Sequence, residues 1–211
     1  NKVDGVVAIT YSPIEKYLTS GIPFVSIDRT YSDIEIACVS SDNDAGGREA
    51  AKQLIKKGCQ HLAFVGGHNT TINETKRRRI SFEKYVQDKN IPFSIFDLDE
   101  TVVDYHEKLE QFLTENPSID GIFAINDFAA LDVIEILEAN GKQIPHDVQI
   151  IGYDGIKMAG DRDYLLSTIK QPLKEMAQEA VRILFEIIDG KTVHLQTILP
   201  VTFIEGKTTK N

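Results

Sequence analysis

Several features are scarce in this sequence of 211 residues, and each absence excludes a class of protein. No apolar run approaches the ~20 residues that a membrane-spanning helix needs. Net positive charge is lacking: 32 acidic residues outnumber 23 Lys and Arg, and the net charge is −9. This argues against a nucleic-acid-binding surface on this chain, because phosphate binding requires clustered Lys and Arg. There are only two cysteines, Cys38 and Cys59, which we expect to be buried free thiols in a reducing compartment.

The first residues, Asn1-Lys2-Val3-Asp4-Gly5, contain neither an initiator Met nor a signal peptide, so we expect further sequence upstream. The composition, 42% hydrophobic and 26% charged, is ordinary for a globular protein. The length allows one large or two small domains with a substantial core.

Motifs for catalysis, metal binding and nucleotide binding are lacking too. Gly66-Gly67 is not followed by the Lys-Ser/Thr of a phosphate loop, and Gly46-Gly47 does not follow a strand. The histidines are scattered without ligand spacing: His61, His68, His106, His146 and His194. We therefore predict a protein that is not an enzyme and has no cofactor or metal.

Short apolar runs alternate with helical patterns of about 10–15 residues, which predicts an α/β protein with doubly wound parallel sheets. Strands are predicted at 4–9, 22–28, 34–40, 62–65, 93–96, 121–125, 148–151, 166–170, 194–199 and 201–204. Helices are predicted at 13–20, 44–57, 75–88, 103–115, 128–140 and 172–189. So many strands would make one sheet very long, so two lobes are expected.

Two local predictions are more specific. Gly66-Gly67 is predicted to form a loop after its strand. The last helix is predicted to bury one apolar stripe because the spacing follows the helical period. The stripe consists of Leu173, Met176, Ala177, Ala180, Val181, Leu184 and Ile188.

Polar residues follow several predicted strands at the point where each strand ends. Asp154 ends the run Ile150-Ile151-Gly152-Tyr153, Asp28 ends another strand, and Asn126-Asp127 follow a third. In open α/β sheets ligands bind outside the carboxyl ends of the strands, so these side chains predict one polar cleft. Arg78, at the start of a neighbouring helix, adds a planar donor. Such a mixture suits a sugar or polyol, with apolar faces offered by Tyr11, Phe82, Tyr105 and Phe128.

Each of these residues also has a purely structural interpretation. Asp154 could cap the following turn, and Asn126-Asp127 could cap a helix. Most of the run Lys76-Arg77-Arg78-Arg79 is expected to form a solvated face, although the cluster leaves room for a phosphorylated sugar. Gln171 could satisfy backbone groups, and the tyrosines could be packing residues.

The motifs taken together resemble the effector-binding core of LacI/GalR-type transcriptional repressors, which is similar to type I periplasmic sugar-binding proteins. The resemblance covers essentially the whole chain. It is carried by Val3-Asp4-Gly5-Val6-Val7, Gly21 to Asp28, Gly66-Gly67 followed by Arg78, Ala124 to Asp127, Ile150 to Asp154, Ser167 to Pro172 and Leu199-Pro200-Val201.

The resemblance implies two lobes joined by three crossovers, with the effector between them. Residues 1–40 and 173–199 would form the N-terminal lobe, and residues 41–172 and 200–211 the C-terminal lobe. The ligand-binding residues would be Asp28, Arg78, Asn126, Asp154 and Gln171, with Phe82 and Phe128 nearby. Ser81 departs from the family pattern, which has Gly before the aromatic. The DNA-binding headpiece and the first βα unit of the N-terminal lobe are not in this sequence, so we expect exposed strand edges in a truncated lobe.

The resemblance therefore implies the sugar-binding domain of a cytoplasmic, homodimeric repressor that reads operator DNA through a headpiece absent from this chain. An extracellular or periplasmic sugar-binding protein of a transporter is the alternative. An enzyme acting on sugars or nucleosides is a third hypothesis, for which the sequence offers no catalytic pair.

Overall fold

The computed structural model describes residues 3–10, 21–31, 34–68, 75–99, 103–157 and 165–210. The described strands are β1 (Val6–Ala8), β2 (Phe24–Ile27), β3 (Ala37–Ser41), β4 (Leu62–His68), β5 (Phe93–Asp99), β6 (Gly121–Ala124), β7 (Gln149–Asp154), β8 (Ser167–Lys170), β9 (Gln196–Leu199) and β10 (Thr202–Ile204). The described helices are α1 (Asn43–Lys56), α2 (Thr75–Asp88), α3 (Tyr105–Glu115), α4 (Asp127–Ala139) and α5 (Leu173–Ile188). The predicted helix at 13–20 and Tyr11 lie outside the described residues.

The chain divides into two compact units. The first unit is built mainly from Asn1–Asn43 and Pro172–Pro200, and the second from Asp44–Thr70, Arg77–Gln171 and Val201–Asn211. The sequence-based division placed the boundaries at residues 40, 172 and 199. Each unit contains its own sheet, and the predicted α/β class with parallel sheets is confirmed.

The first unit contains a four-stranded parallel sheet in the order β1-β2-β3-β9. Its core lies where α5 packs against Val25, Val39 and their neighbours on β2 and β3. The predicted stripe on α5 is only partly right. Met176, Ala180 and Ile183 are buried, whereas Leu173, Val181 and Ile188 are exposed. A single sheet of short strands covers only one narrow face of the helix. Compared with the predicted stripe, this buried face is rotated about the helix axis so that it includes Ile183.

The second unit contains a six-stranded sheet in the order β10-β8-β7-β6-β4-β5, parallel except for β10, which pairs antiparallel with β8. Successive side chains of a strand point to opposite faces, and β4 shows this directly. Leu62 and Phe64 pack with α1 and α2, whereas Ala63 and Val65 pack with α3 and α4. Helices therefore cover both faces, as a doubly wound sheet requires.

Three strands, β4, β5 and β7, continue well beyond their predicted ends, and the extensions of β4 and β7 determine where the polar strand ends lie. The prediction of a loop at Gly66-Gly67 is wrong, because β4 continues to His68, with Gly66 opposite Asp97 and Gly67 opposite Leu98 on β5. Likewise β7 continues to Asp154 instead of ending at Ile151, because it pairs with β8 as far as Lys170. Asp154 is therefore the last residue of a strand inside the sheet.

None of the helices in the described parts of the chain is long and apolar enough to cross a membrane.

Candidate functional site

The candidate site lies at the carboxyl ends of β6, β7 and β8, which are neighbours in the sheet of the second unit. Asp154 ends β7, Asn126 follows β6 closely and Gln171 follows β8 directly. Arg78 reaches this edge from the first turns of α2. Parallel strands bring residues that are distant in sequence to one edge, which explains why these four residues lie in one region.

Arg78 is a buried cation, 3% exposed, that is held on three sides. Its Cζ lies 3.6 Å from the centroid of the Tyr153 ring, within the range of a cation–π interaction. Its Nη1 donates to the carbonyl of Ile125 at 2.9 Å. The same nitrogen lies 3.8 Å from Asp154 Oδ1, so the two opposite charges face each other. These contacts fix the guanidinium before any ligand binds.

Gln171 is tied to Asp154 by its side chain. Its Nε2 donates to Asp154 Oδ1 at 2.7 Å. Its Oε1 is buried and has no hydrogen-bond partner within the described residues. Burial raises the pKa of Asp154 above its ordinary value, while Arg78 and the hydrogen bond from Gln171 act in the opposite direction. The cluster formed by Arg78, Asp154 and Gln171 is called the polar triad below.

Asp127 lies beneath the triad as a buried support. Its Oδ1 accepts from Thr168 Oγ1 and its Oδ2 from the N–H of Ile156, both at 2.7 Å. The pKa of Asp127 is raised from the ordinary 3.8 to about 6, mainly by burial and to a lesser extent by the charge of Asp154, while these hydrogen bonds act in the opposite direction. A side chain at Gly152 would collide with Asp127 Oδ1, so this close packing requires glycine. Asp127 therefore ties the turn after β7 to β8.

Asn126 is the N-cap of α4, and its Oδ1 accepts from the N–H of Ala129 at 2.7 Å. The predicted cap is thus found, and it is Asn126 that provides it. The cap uses only the side-chain oxygen, and the side-chain NH2 is a separate donor group. A ligand contact by Asn126 stays a prediction that is compatible with this cap.

The two predicted aromatic contacts have different surroundings. Phe82 is fully buried, with its ring centroid 5.4 Å from that of Phe123 and 6.3 Å from that of Phe64. It is a core residue and does not present a ring face at the strand ends. Phe128 is 64% exposed at the start of α4, beside a shallow recess that Leu131 and Leu165 help to line. It can therefore offer an aromatic face.

The two arginines that flank Arg78 on α2 are engaged in ion pairs. Arg77 Nε donates to Asp44 at 3.0 Å, and Arg79 pairs with Asp97 and with Glu83, the latter at 2.6 Å. Only Arg78 of these arginines points into the cluster at the strand ends. Arg78 differs from its two neighbours because successive residues of a helix point about 100° apart.

Tyr105 is a packing aromatic in this structure. Its ring centroid lies 5.3 Å from that of Phe96, and its hydroxyl donates to the carbonyl of Gly66 at 3.3 Å. Burial raises its pKa to about 12. Its ring and its hydroxyl are thus both engaged within the second unit, and a ligand contact by Tyr105 stays a prediction.

Asp28 belongs to the first unit, as does Ser41, which it contacts. It has a φ of 55°, a left-handed conformation that Asp and Asn adopt more readily than most residues. Its Oδ1 accepts weakly from the N–H of Ser41 at 3.4 Å. A ligand contact by Asp28 stays a prediction.

The sequence analysis missed Tyr153 and Thr168, which orient Arg78 and Asp127. Tyr153 lies in an apolar strand and looks like an ordinary core residue. The sequence feature that could have indicated its role is Gly46, a glycine within a predicted helix. A Cβ at this position would lie 2.6 Å from the Tyr153 ring, so the ring packs directly against the helix backbone. Within the described ranges, no group of three or more His, Cys, Asp or Glu side chains is placed to hold a metal ion.

Comparison with known proteins supplies a family. The model for the periplasmic binding protein-like domain matches residues 51–209. The chain is similar to the sucrose operon repressor of Streptococcus mutans, with 32% identity over 209 residues, which are 98% of this chain and 64% of that protein. It is also similar to the ribose operon repressor of Halalkalibacterium halodurans, with 30% identity over 99% of this chain and 63% of that protein. The chain therefore spans less than two thirds of the length of these curated relatives.

Among solved structures, the chain is similar to a LacI family transcriptional regulator from Enterococcus faecium with bound ribose. The TM-score is 0.80 at 28% identity, and the match covers 98% of this chain and 79% of that chain. The resemblance drawn from the sequence motifs, to the effector-binding core of such regulators, is confirmed by these matches.

Proposed function

Since this chain belongs to the family of periplasmic binding protein-like domains, we propose that it is the effector-binding domain of a LacI/GalR-type transcriptional regulator and that its effector is a sugar. The observation that carries the proposal is the polar triad at the strand ends. It combines a fixed guanidinium, a carboxylate and a carboxamide with an unpartnered oxygen. Sugar hydroxyls both donate and accept, so they can satisfy all three groups.

Two further contacts complete the proposed site in the second unit. Phe128 offers an exposed ring face for the apolar side of a sugar. The side-chain NH2 of Asn126 can donate to a hydroxyl while the oxygen keeps the helix cap. Asp28 in the first unit is proposed as an additional acceptor. A ligand that contacts residues of both units would favour one arrangement of the units by its differential affinity, typically ~1–3 kcal/mol of coupling.

The proposed partners follow from the relatives' names. We propose that the full-length protein binds operator DNA through a headpiece that is not in this chain, acts as a homodimer and works in the cytoplasm. Twofold operators are read by twofold proteins, which is the physical reason for the dimer. The names of the relatives, operon repressors, support a regulator rather than a transport protein or an enzyme.

Calorimetry of this chain against pentoses, hexoses and disaccharides tests the proposal. Ribose and sucrose come first because the relatives carry those names. We expect saturable binding of at least one sugar with one site per chain and no change in the sugar recovered afterwards. Conversion of the sugar into a product would instead establish an enzyme. Absence of binding across the panel would contradict the proposed effector class.

A further inference from the structure

We propose that the second unit binds the second unit of another copy of this chain through two surfaces of opposite charge. The basic face is formed on α1 and α2 by Arg48, Lys52, Lys56 and Lys84, and the acidic face on α3 and α4 by Glu107, Glu110, Glu135 and Glu138. The inference is carried by the distribution of charge between the helices, by the exposure of these side chains and by their ion pairing. It does not depend on the proposed function, because neither face includes a residue of the polar triad.

Charge is distributed unequally between the helices on the two sides of the sheet. α1 and α2 together contain eight Lys and Arg but only four Asp and Glu. α3 and α4, which pack on the opposite side, contain one Lys and seven Asp and Glu. Because the net charge of the chain is −9, the excess of cations on α1 and α2 departs from the overall composition. The two sides of the second unit are therefore covered by helices of opposite net charge.

The exposed side of α1 carries a row of like charges. Arg48, Lys52 and Lys56 are all exposed, and their spacing of four residues places them above one another on the helix. Like charges at this spacing destabilise a helix slightly, so the row does not help to stabilise α1. Lys52 Nζ lies 3.4 Å from Glu49 Oε2, whereas Arg48 and Lys56 form no ion pair within the described part of the chain. The row is therefore available to a partner that supplies carboxylates.

α2 extends the basic face. Lys84 is exposed and forms no ion pair within the described ranges. α1 and α2 cover the same side of the sheet, and their backbones approach closely where Gly47 lies against the carbonyl of Arg78. The arginines at the start of α2 do not belong to the basic face, because Arg78 is buried and its two neighbours are paired with carboxylates. The exposed cations of the two helices thus form one surface.

The acidic face offers the complementary groups. Glu107 on α3 and Glu135 and Glu138 on α4 are exposed and form no ion pair within the residues that the structure describes. The two helices are joined where Asn140 Nδ2 donates to Glu110 Oε1 at 3.2 Å, so their carboxylates belong to one surface. Each copy of the chain therefore presents the carboxylates to which the basic face of another copy can donate.

A second copy is the partner whose complementary surface this structure contains. The basic and acidic faces lie on opposite sides of the sheet, so the basic face of one copy meets the acidic face of the next. Such a heterologous contact repeats from copy to copy instead of closing into a twofold dimer. Nucleic acid, another polyanion that a row of cations could bind, is disfavoured by the net charge of −9.

The size of the faces determines the expected strength of the contact. α1 and α2 each contain 14 residues, which corresponds to a length of about 21 Å. Two helices side by side are about 20 Å wide, so each face offers roughly 400 Å². A total of about 800 Å² for both copies lies below the range of stable interfaces, so we expect weak association. Because exposed charges are screened beyond about 8 Å at physiological salt, the association should weaken as salt is added.

Sedimentation equilibrium of this chain tests the inference at protein concentrations up to about 1 mM, in about 20 mM and about 300 mM NaCl. At the lower salt concentration, the weight-average mass should rise with protein concentration without levelling off at a dimer. At the higher salt concentration, this rise should disappear. A twofold dimer that is insensitive to salt would raise the mass equally in both solutions and does not imitate this result. A mass that is independent of salt, or that levels off at a dimer, would overturn the inference.

Two charge-reversal variants locate the contact. The basic-face variant combines Arg48→Glu, Lys56→Glu and Lys84→Glu, and the acidic-face variant combines Glu107→Lys, Glu135→Lys and Glu138→Lys. Each variant alone should lose the salt-dependent rise in mass, because its two faces then have the same sign of charge. An equimolar mixture of the two variants should regain the rise, because their faces are again complementary. Both variants keep a net negative charge, since three reversals change the net charge of −9 by six, so attraction between whole molecules does not explain this result.

A matched control makes the same change in net charge outside α1 and α2. It combines three exposed positions: Lys174→Glu, Lys191→Glu and Lys207→Glu. With its fold intact by circular dichroism, the control should keep the salt-dependent rise that the basic-face variant loses. A rise retained in the basic-face variant, a mixture that does not associate, or an equal loss in the control would overturn the inference. A labelled DNA duplex that binds wild type at about 150 mM NaCl but not the basic-face variant would also overturn it, because the cations would then serve nucleic acid.

Discussion

Gln171 is joined to Asp154 twice: its Nε2 donates to Oδ1 at 2.7 Å, and its backbone N–H donates to the backbone carbonyl of Asp154 at 3.2 Å. Asp154 is the last residue of β7, and Gln171 directly follows the adjacent strand β8. Their hydrogen bonds therefore extend the pairing of the two strands by one residue. Asp154 has a φ of 113°, a conformation that non-glycine residues rarely adopt. The side-chain hydrogen bond and the ion pair with Arg78 help to stabilise this conformation. Residues held in such conformations concentrate at functional sites.

The first prediction concerns the packing below Arg78. Gly47→Ala should destabilise the second unit by about 1–3 kcal/mol, because the new Cβ would overlap the backbone carbonyl of Arg78 on α2. Helix propensity alone predicts the opposite sign, since Ala is favoured over Gly by about 1 kcal/mol within a helix. Urea unfolding of the variant against wild type measures the sign. Lys52→Ala, at an exposed position of the same helix, is the control and should change the free energy of unfolding by less than about 0.5 kcal/mol. A stabilised Gly47→Ala variant would contradict the close approach of α1 and α2.

The second prediction concerns pH. Asp127 has its pKa raised from 3.8 to about 6 in the folded protein, mainly by burial. A raised carboxyl pKa means that the folded state binds the proton more tightly than the unfolded state. The contribution of Asp127 to stability is therefore greatest below pH 4 and is lost as the pH rises through about 6. Asp127→Asn removes this titration.

Unfolding measured from pH 7.5 to pH 4 checks the sign. The free energy of unfolding of wild type minus that of Asp127→Asn should increase as the pH falls through this range. Taking this difference cancels the pH-dependent contributions of the titratable groups that both proteins contain. A difference that stays constant, or that falls toward low pH, would contradict a buried Asp127 that is hard to ionise.

The third prediction separates the two roles of Asn126. Asn126→Ala should destabilise the protein by about 1 kcal/mol, because the N–H of Ala129 loses its cap. Asn126→Asp should keep the cap and the stability, because a carboxylate oxygen also accepts from that N–H. If the side-chain NH2 donates to the sugar, both variants should bind the sugar more weakly. If Asn126→Asp binds the sugar with wild-type affinity, the role of Asn126 is limited to capping α4.

The fourth prediction separates the two phenylalanines. Phe82→Ala should lower the free energy of unfolding by about 3–5 kcal/mol, because the ring is fully buried among aromatic neighbours. Phe128→Ala should change it by less than about 0.5 kcal/mol, because the ring is 64% exposed. The same Phe128 variant should weaken sugar binding about two- to tenfold if the ring stacks on the ligand. Urea unfolding and calorimetry measure the two effects independently, and unchanged affinity would remove Phe128 from the site.

Local patterns in the sequence predict much of this fold, because short strands and amphipathic helices leave their period in the chain. The limits of α2, at Thr75 and Asp88, are as predicted. Sheet pairing corrects local signals elsewhere: Gly66-Gly67 has the composition of a loop, but a full-length partner strand holds it in β4. The buried face of α5 depends on how much of the helix its sheet covers, and spacing alone does not contain that information.

The site could be predicted only in part, for a similar reason. Polar residues after apolar runs indicate strand ends, and parallel pairing then brings Asp154 and Gln171 together. The choice among Arg77, Arg78 and Arg79 depends on the rotation of α2, which the sequence does not reveal. The burial of Phe82 depends on packing against Phe64 and Phe123, which are distant in sequence.

The most direct test of the account is calorimetry of the tightest sugar with wild type, Asp154→Asn, Gln171→Leu and the exposed control Asp88→Asn. The polar triad predicts that Asp154→Asn and Gln171→Leu each weaken binding at least about tenfold, because each loses a hydrogen bond that involves a charged or buried group. The control should bind with the wild-type affinity. Wild-type affinity in both triad variants, with the fold intact by circular dichroism, would contradict the account.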